Sequence, residues 1–120
     1  MHHKHVLIVD DNEDILFFLE YGIKQTWPCY EVSTATNGLL ALERLQKRPA
    51  DLMLIDYRLP GMNGLELAET VRQIAPNTRI VMMSANKPVD IEDKMALLQL
   101  AGYIDKPFRV SEIQRFVLAG

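Results

Sequence analysis

Short unbroken apolar runs alternate along this chain with segments whose apolar residues recur every three to four positions, and no other feature limits the possible folds so severely. "HVLIV" (5–9), "DLMLI" (51–55) and "RIVMMSA" (79–85) read as strands buried on both faces. "YEVSTA" (30–35) alternates apolar with polar, and "YID" (103–105) is a short fifth strand. Between them lie predicted helices. The first covers "NEDILFFLEYGIKQT", with Ile15, Leu16, Leu19 and Ile23 on one stripe and Glu13 and Asp14 complementing the dipole at its start. Asn37-Gly38 is placed to cap a second, with Leu39, Leu42 and Leu45 as its expected apolar face. A third runs from about Asn63 to Ile74, with Leu67, Val71 and Ile74 together, and stops before Pro76. Pro88 is expected to open a fourth, carrying Ile91, Met95 and Leu98. "VSEIQRFVL" closes the chain with Val110, Ile113 and Phe116 or Val117.

Strand–helix alternation of this kind implies right-handed crossovers and an α/β fold, a five-stranded parallel sheet doubly wound by helices on both faces. The 120 residues suffice for one domain with a real core, so residues 1–120 are expected to form a single unit, with 1–4 as a loose tail. A net charge of -3 with no basic stripe argues against a nucleic-acid surface. No apolar run approaches the roughly 18 residues that span a bilayer, and the start lacks a signal-peptide pattern. The single cysteine, Cys29, excludes an internal disulfide framework and fits a reducing, cytoplasmic setting. The histidines all fall at positions 2, 3 and 5, where a solvated start or the remnant of an added tag is the reading preferred over a metal tract. Catalysis must then rest on carboxylates, lysines or hydroxyls.

In open parallel sheets the working site lies beyond the carboxyl ends of the strands. Strand one runs into Asp10-Asp11, strand three into Asp56, strand four into Ser84 and strand five into Lys106-Pro107. Taken singly these are an N-cap pair, a turn Asp, a strand-end Ser and a surface Lys. Taken together they place three carboxylates and one ammonium on one edge. At about 4 Å and an effective dielectric of about 20, each like-charge contact costs about 4 kcal/mol. Either one carboxyl takes up a proton or a divalent cation binds. Hard oxygen ligands with few protein contacts suit Mg²⁺, which favours sites that also hold phosphate. Asp56 could then attack a phosphoryl group, with Lys106 and Ser84 serving its oxygens.

The runs "LIVDDNED", "LMLIDYRLPGMNGLEL", "VMMSA" and "GYIDKPF", in that order over the whole chain, resemble a response-regulator receiver domain, the phosphoacceptor half of two-component signalling. The resemblance implies a flavodoxin-like strand order 2-1-3-4-5 and a phosphoryl group passed from a sensor histidine kinase or histidine phosphotransfer protein to Asp56. It implies Mg²⁺ (or Mn²⁺) on Asp10, Asp11, Asp56 and the backbone carbonyl of Arg58. Lys106 would hold the phosphoryl group, Ser84 would swing toward it, and Tyr103 would be the aromatic switch. Gly64 would allow the turn beside the site, and Lys106-Pro107 would be a cis bond. The face of the fourth helix, fifth strand and last helix would carry the change, and could also form a homodimer. The domain would not be a conventional enzyme, but would assist its own phosphorylation and slow self-hydrolysis. Neither the effector nor the pathway follows from the residues.

The sequence departs from this pattern in one place. Receivers often carry Gly-Ala-Asp-Asp before the tyrosine, whereas "QLAG" stands here, so the predicted fourth helix lacks its usual stop. Arg58 and Asn86 occupy positions that tend to tune phosphoryl lifetime. Three other classes can be weighed. A haloacid-dehalogenase-type phosphatase wants a second Asp two residues after the nucleophile, where Arg58 stands. A flavodoxin-like cofactor binder wants a hydroxyl- and Gly-rich loop where "DDNED" stands. A degenerate receiver acting as a phosphorylation-independent docking module has no need of the complete acidic set.

Overall fold

The computed structural model describes residues 4–118. Five parallel strands form one sheet: β1 (His5–Val9), β2 (Glu31–Ala35), β3 (Leu52–Asp56), β4 (Arg79–Ser84) and β5 (Gly102–Asp105), in the order β2-β1-β3-β4-β5. Helices α1 (Glu13–Thr26), α2 (Gly38–Lys47), α3 (Gly64–Ile74) and α4 (Ile91–Leu98) connect them, and a 3₁₀ turn (Val110–Ile113) leads into α5 (Gln114–Leu118). This is the doubly wound order expected above, with β1 and β3 adjacent at its centre.

The alternation of side chains across a strand explains why the central strands are apolar throughout. Leu7, Val9, Met53, Ile55, Ile80 and Met82 point to one core, roofed by α2 and α3. Val6, Ile8, Leu52, Leu54, Val81 and Met83 point to the other, covered by Leu16, Leu19 and Ile23 of α1 and by Ile113, Phe116 and Val117. The first three helix starts each carry a capping asparagine. Asn12 caps α1, accepting from the Asp14 and Ile15 amides, and Asn37 caps α2 through the Leu40 amide. Asn63 and Glu66 form a reciprocal capping box at α3, both bonds 2.9 Å long.

Several helix faces differ from the sequence expectation. On α2 the buried stripe is Gly38, Ala41 and Leu45, with Leu42 half-buried and Leu39 turned outward at 73% exposure. Gly38 is a contact surface, because a Cβ there would meet Met62 Sδ at 2.9 Å. On α3 Ala68 joins Leu67 and Val71, while Ile74 is exposed in the last turn. Helix α4 begins at Ile91 with Asp90 as N-cap, three residues beyond Pro88, whose carbonyl accepts from the Ile91 amide.

The missing stop of α4 is supplied by other residues. Gln99 adopts the left-handed conformation (φ 55°) that closes a helix, and the Leu100 amide returns to the Met95 carbonyl at 2.9 Å. Arg72 of α3 donates to the carbonyls of Leu98, Pro76 and Thr78 at 2.8–2.9 Å. One guanidinium therefore serves the end of α4 and the α3–β4 turn together.

His5 is not part of a solvated start. It is 2% exposed on β1, with Nδ1 2.9 Å from the Pro49 carbonyl and Nε2 2.8 Å from Ser33 Oγ. The Lys4 carbonyl accepts from the Glu31 amide at 2.9 Å, so pairing with the β2 strand extends back to residue 4. His2 and His3 lie outside the described residues.

Candidate functional site

Strand register builds the site. Val9 pairs with Ile55 across β1 and β3, so the next residues, Asp10 and Asp56, emerge side by side at the carboxyl edge. Asp56 pairs with Met83, and Ser84 with Asp105, which brings the end of β4 and the segment leading to Lys106 to the same rim. Oxygens of Asp10, Asp11 and Asp56 all lie within 4.8 Å of one another. Asp10 and Asp56 are buried, whereas Asp11 faces solvent. Lys106 Nζ reaches Asp10 Oδ2 at 2.5 Å and Asp56 Oδ1 at 3.2 Å, and the other oxygen of Asp10 accepts from the Asn12 amide at 2.9 Å.

This cluster is electrostatically strained. Burial raises the Asp56 pKa from its ordinary value, the charge of Asp10 raises it further, and Lys106 offsets only part of that. For Lys106 burial acts downward, yet the hydrogen bond to Asp10 and the charges of Asp10 and Asp56 outweigh it, so its pKa rises. An ammonium held this firmly cannot also neutralise three carboxylates. The donor set fits a hard divalent cation: three carboxylates, two fixed by packing and one open to solvent, through which a hydrated ion can enter.

The surrounding residues fall into two groups. Ser84 is buried, and its hydroxyl is engaged with the Asn86 backbone, donating to the carbonyl at 2.7 Å and accepting from the amide at 3.1 Å. Tyr103 is half-buried, its hydroxyl donating to the Ser84 carbonyl at 3.4 Å, with Lys87 Nζ 5.6 Å from its ring centroid. Burial pushes the Tyr103 pKa up. Arg58, two residues after Asp56, has an exposed side chain. The Lys106–Pro107 bond is cis.

Gly64 sits beside the site for a reason different from the one expected. The left-handed turn of this loop belongs to Gly61 (φ 79°). At Gly64, the first residue of α3, a Cβ would stand 2.5 Å from the Asp56 carbonyl oxygen and 2.8 Å from Tyr57 Cα. Only a residue without a side chain lets α3 start so close to the end of β3. Sequence reasoning also passed over Phe17, Phe18 and Tyr21, which stand 51–72% exposed on α1. Their signal was present, since Phe17 and Phe18 lie off the Leu16–Leu19–Ile23 stripe.

A doubly wound parallel sheet with three carboxylates and a lysine on one rim is an α/β domain whose site can hold a divalent cation beside a buried aspartate. The family model described as "response regulator receiver domain" matches residues 6–118, and the chain belongs to that family, the receivers of two-component response regulators. It is 32% identical to sporulation initiation phosphotransferase F of Bacillus subtilis, over 95% of this chain and 90% of that protein. It is 34% identical to the alkaline phosphatase synthesis transcriptional regulatory protein PhoP of the same organism, over 97% of this chain but only 48% of that protein. The crystal structure of a CheY-like receiver domain protein from Methanospirillum hungatei superposes with a TM-score of 0.91 at 24% identity, covering 98% of this chain and 93% of that one, a likeness of fold. No helix among the described residues is long and apolar enough to cross a membrane.

Proposed function

We propose that Asp56 accepts a phosphoryl group from a phosphohistidine on a sensor histidine kinase or phosphotransfer protein, with Mg²⁺ (or Mn²⁺) bound beside it. The observation that carries this reading is the position of Asp56: at the end of β3, within 4.8 Å of Asp10 and Asp11 oxygens and 3.2 Å from Lys106 Nζ. Asp10, Asp11, Asp56 and the backbone carbonyl of Arg58 would hold the cation. The bound ion supplies neutralisation of charge on the phosphoryl oxygens.

A carboxylate oxygen of Asp56 forms the new P–O bond as the P–N bond to the donor imidazole breaks; the donor ring carries a proton on its other nitrogen, so the imidazole leaves neutral. Lys106, already drawn toward both buried carboxylates, takes the transferring oxygens, and Ser84 exchanges its Asn86 contacts for one of them. Attack by water on phosphorus later breaks the P–O bond to Asp56, releasing inorganic phosphate and returning the free carboxylate. Phosphorylation adds about -1.5 to -2 charge and strong acceptor oxygens, which is the differential interaction that can shift Ser84, Tyr103 and the α4–β5–α5 face. That face is also the candidate for a homodimer. The exposed Phe17, Phe18 and Tyr21 on α1, which starts two residues after Asp11, offer the donor protein an apolar resting surface. The unit acts in the cytoplasm as one receiver spanning residues 1–120. Its output runs through a separate protein or an attached effector, since one of the two relatives above matches over most of its length and the other over about half.

Incubation with Mg²⁺ and acetyl phosphate, read by intact mass, tests the reading. The wild type should gain one phosphoryl group and Asp56→Asn none. No gain in the wild type would return the docking-module alternative.

A further inference from the structure

The β4–α4 segment carries a lysine with two partners. Lys87 Nζ lies over the Tyr103 ring, 5.6 Å from its centroid, and 3.1 Å from Glu92 Oε1 in the first turn of α4. The preceding residue, Asn86, is held at both its amide and its carbonyl by the Ser84 hydroxyl. The Ser84 carbonyl, in turn, accepts from the Tyr103 hydroxyl. These contacts close a ring: Ser84, Asn86, Lys87, Tyr103 and back to Ser84.

We infer that Lys87 is a positioning residue that fastens the Tyr103 ring in its present place and ties it to the start of α4. The inference rests on Asp56 phosphorylation as the event that draws Ser84 away. An ammonium over an aromatic face is attracted by the ring's quadrupole, and the contact needs the lysine backbone to stay where it is. The Ser84 hydroxyl provides that backbone anchor through Asn86. When the hydroxyl turns to another acceptor, both bonds to Asn86 are lost together, Lys87 is no longer held over the ring, and Tyr103 is free to move. Lys87 therefore converts the departure of one hydroxyl into a simultaneous release of Tyr103 and of Glu92 on α4.

The latch favours the unphosphorylated arrangement, so breaking it should favour the other. Lys87→Gln removes the cation while keeping a polar side chain on an exposed loop, and Lys87→Arg keeps the cation over the ring. In the unphosphorylated protein, fluorine NMR of fluorotyrosine-labelled chain should show the Tyr103 resonance shifted or broadened in Lys87→Gln and near wild type in Lys87→Arg. This readout does not involve Asp56, so it separates failure of the latch from failure of the phosphoacceptor reading. With acetyl phosphate and Mg²⁺, Lys87→Gln should phosphorylate about two- to fivefold faster at saturating donor, the size of an exposed cation–π contact. In a Tyr103→Leu background the same substitution should change nothing. An unshifted Tyr103 resonance in Lys87→Gln overturns the inference. So does an equal rate effect in the Tyr103→Leu background, which would show that Lys87 acts on phosphorylation without the Tyr103 ring.

Discussion

The guanidinium of Arg72 donates to the carbonyl of Leu98 at 2.9 Å, joining the last turn of α3 to the last residue of α4. Two further carbonyls, those of Pro76 and Thr78, are satisfied by the same side chain. Arg72→Met keeps the aliphatic stem but leaves these acceptors without their donor. It should destabilise the fold by about 2 kcal/mol, measured by urea unfolding, and speed hydrogen exchange at the C-terminal turn of α4.

Asp56 gives a pH dependence opposite in sign to that of an ordinary paired carboxylate. Its folded pKa is raised above the ordinary 3.8, so its contribution to stability is present below that pH and is lost as pH rises through the folded value. At neutral pH without metal the charged group is a net cost. Asp56→Asn should therefore be more stable than wild type at pH 7 in a chelator, with a higher urea midpoint. Thermal melts should show millimolar Mg²⁺ stabilising the wild type more than the variant, because the ion binds the folded carboxylate cluster.

Gly64→Ala tests close approach directly. The added methyl meets the Asp56 carbonyl oxygen and Tyr57 Cα, both main-chain atoms that cannot rotate aside. A loss of about 1–3 kcal/mol in unfolding free energy is expected, together with slower phosphorylation by acetyl phosphate as α3 is pushed from the site. Gly61→Ala also meets strain from its positive φ, but with no atom within 4 Å of the new Cβ it should leave the phosphorylation rate closer to wild type.

His5 supplies a second titration, at the far end of the sheet. Burial lowers its pKa, the Pro49 carbonyl opposes that, Arg48 lowers it further and Asp51 raises it. The folded value lies below the ordinary 6.5, so the stability due to neutral His5 is complete above pH 6.5 and falls as the solution is acidified through the folded value. Urea midpoints from pH 7.5 to 5 should fall for the wild type. His5→Gln should lie below it at pH 7.5, having lost a buried hydrogen bond, and should show a shallower slope.

Strand positions and the rim of acidic residues were legible because apolar runs and turn residues report local preference and burial at once. The helix faces were less so. Leu39 and Ile74 fit the helical period as well as any core residue, yet both are exposed, while Gly38 and Ala68 carry too little hydrophobicity to draw notice and take the inner positions. Which side of a helix meets the sheet depends on the sheet, and periodicity alone does not contain it. His5 and Arg72 escaped for a related reason: their partners, Pro49, Ser33 and Leu98, are 26 to 44 residues away, and two of those contacts are to backbone carbonyls that any residue could offer. Lys106 and Asp10 are 96 apart and were nevertheless matched, because parallel strands deliver their ends to a common place whatever lies between.

The pairing of Val9 with Ile55 has one more implication. Distances across the rim are laid down by the spacing of main chains, like marks on a ruler, and the helices only hold that ruler flat. The outer faces of α1 and α4 can thus be rewritten for new acquaintances without recalibrating the chemistry, whereas a single-residue slip of β1 against β3 would turn Asp10 to the opposite side of the sheet and erase it.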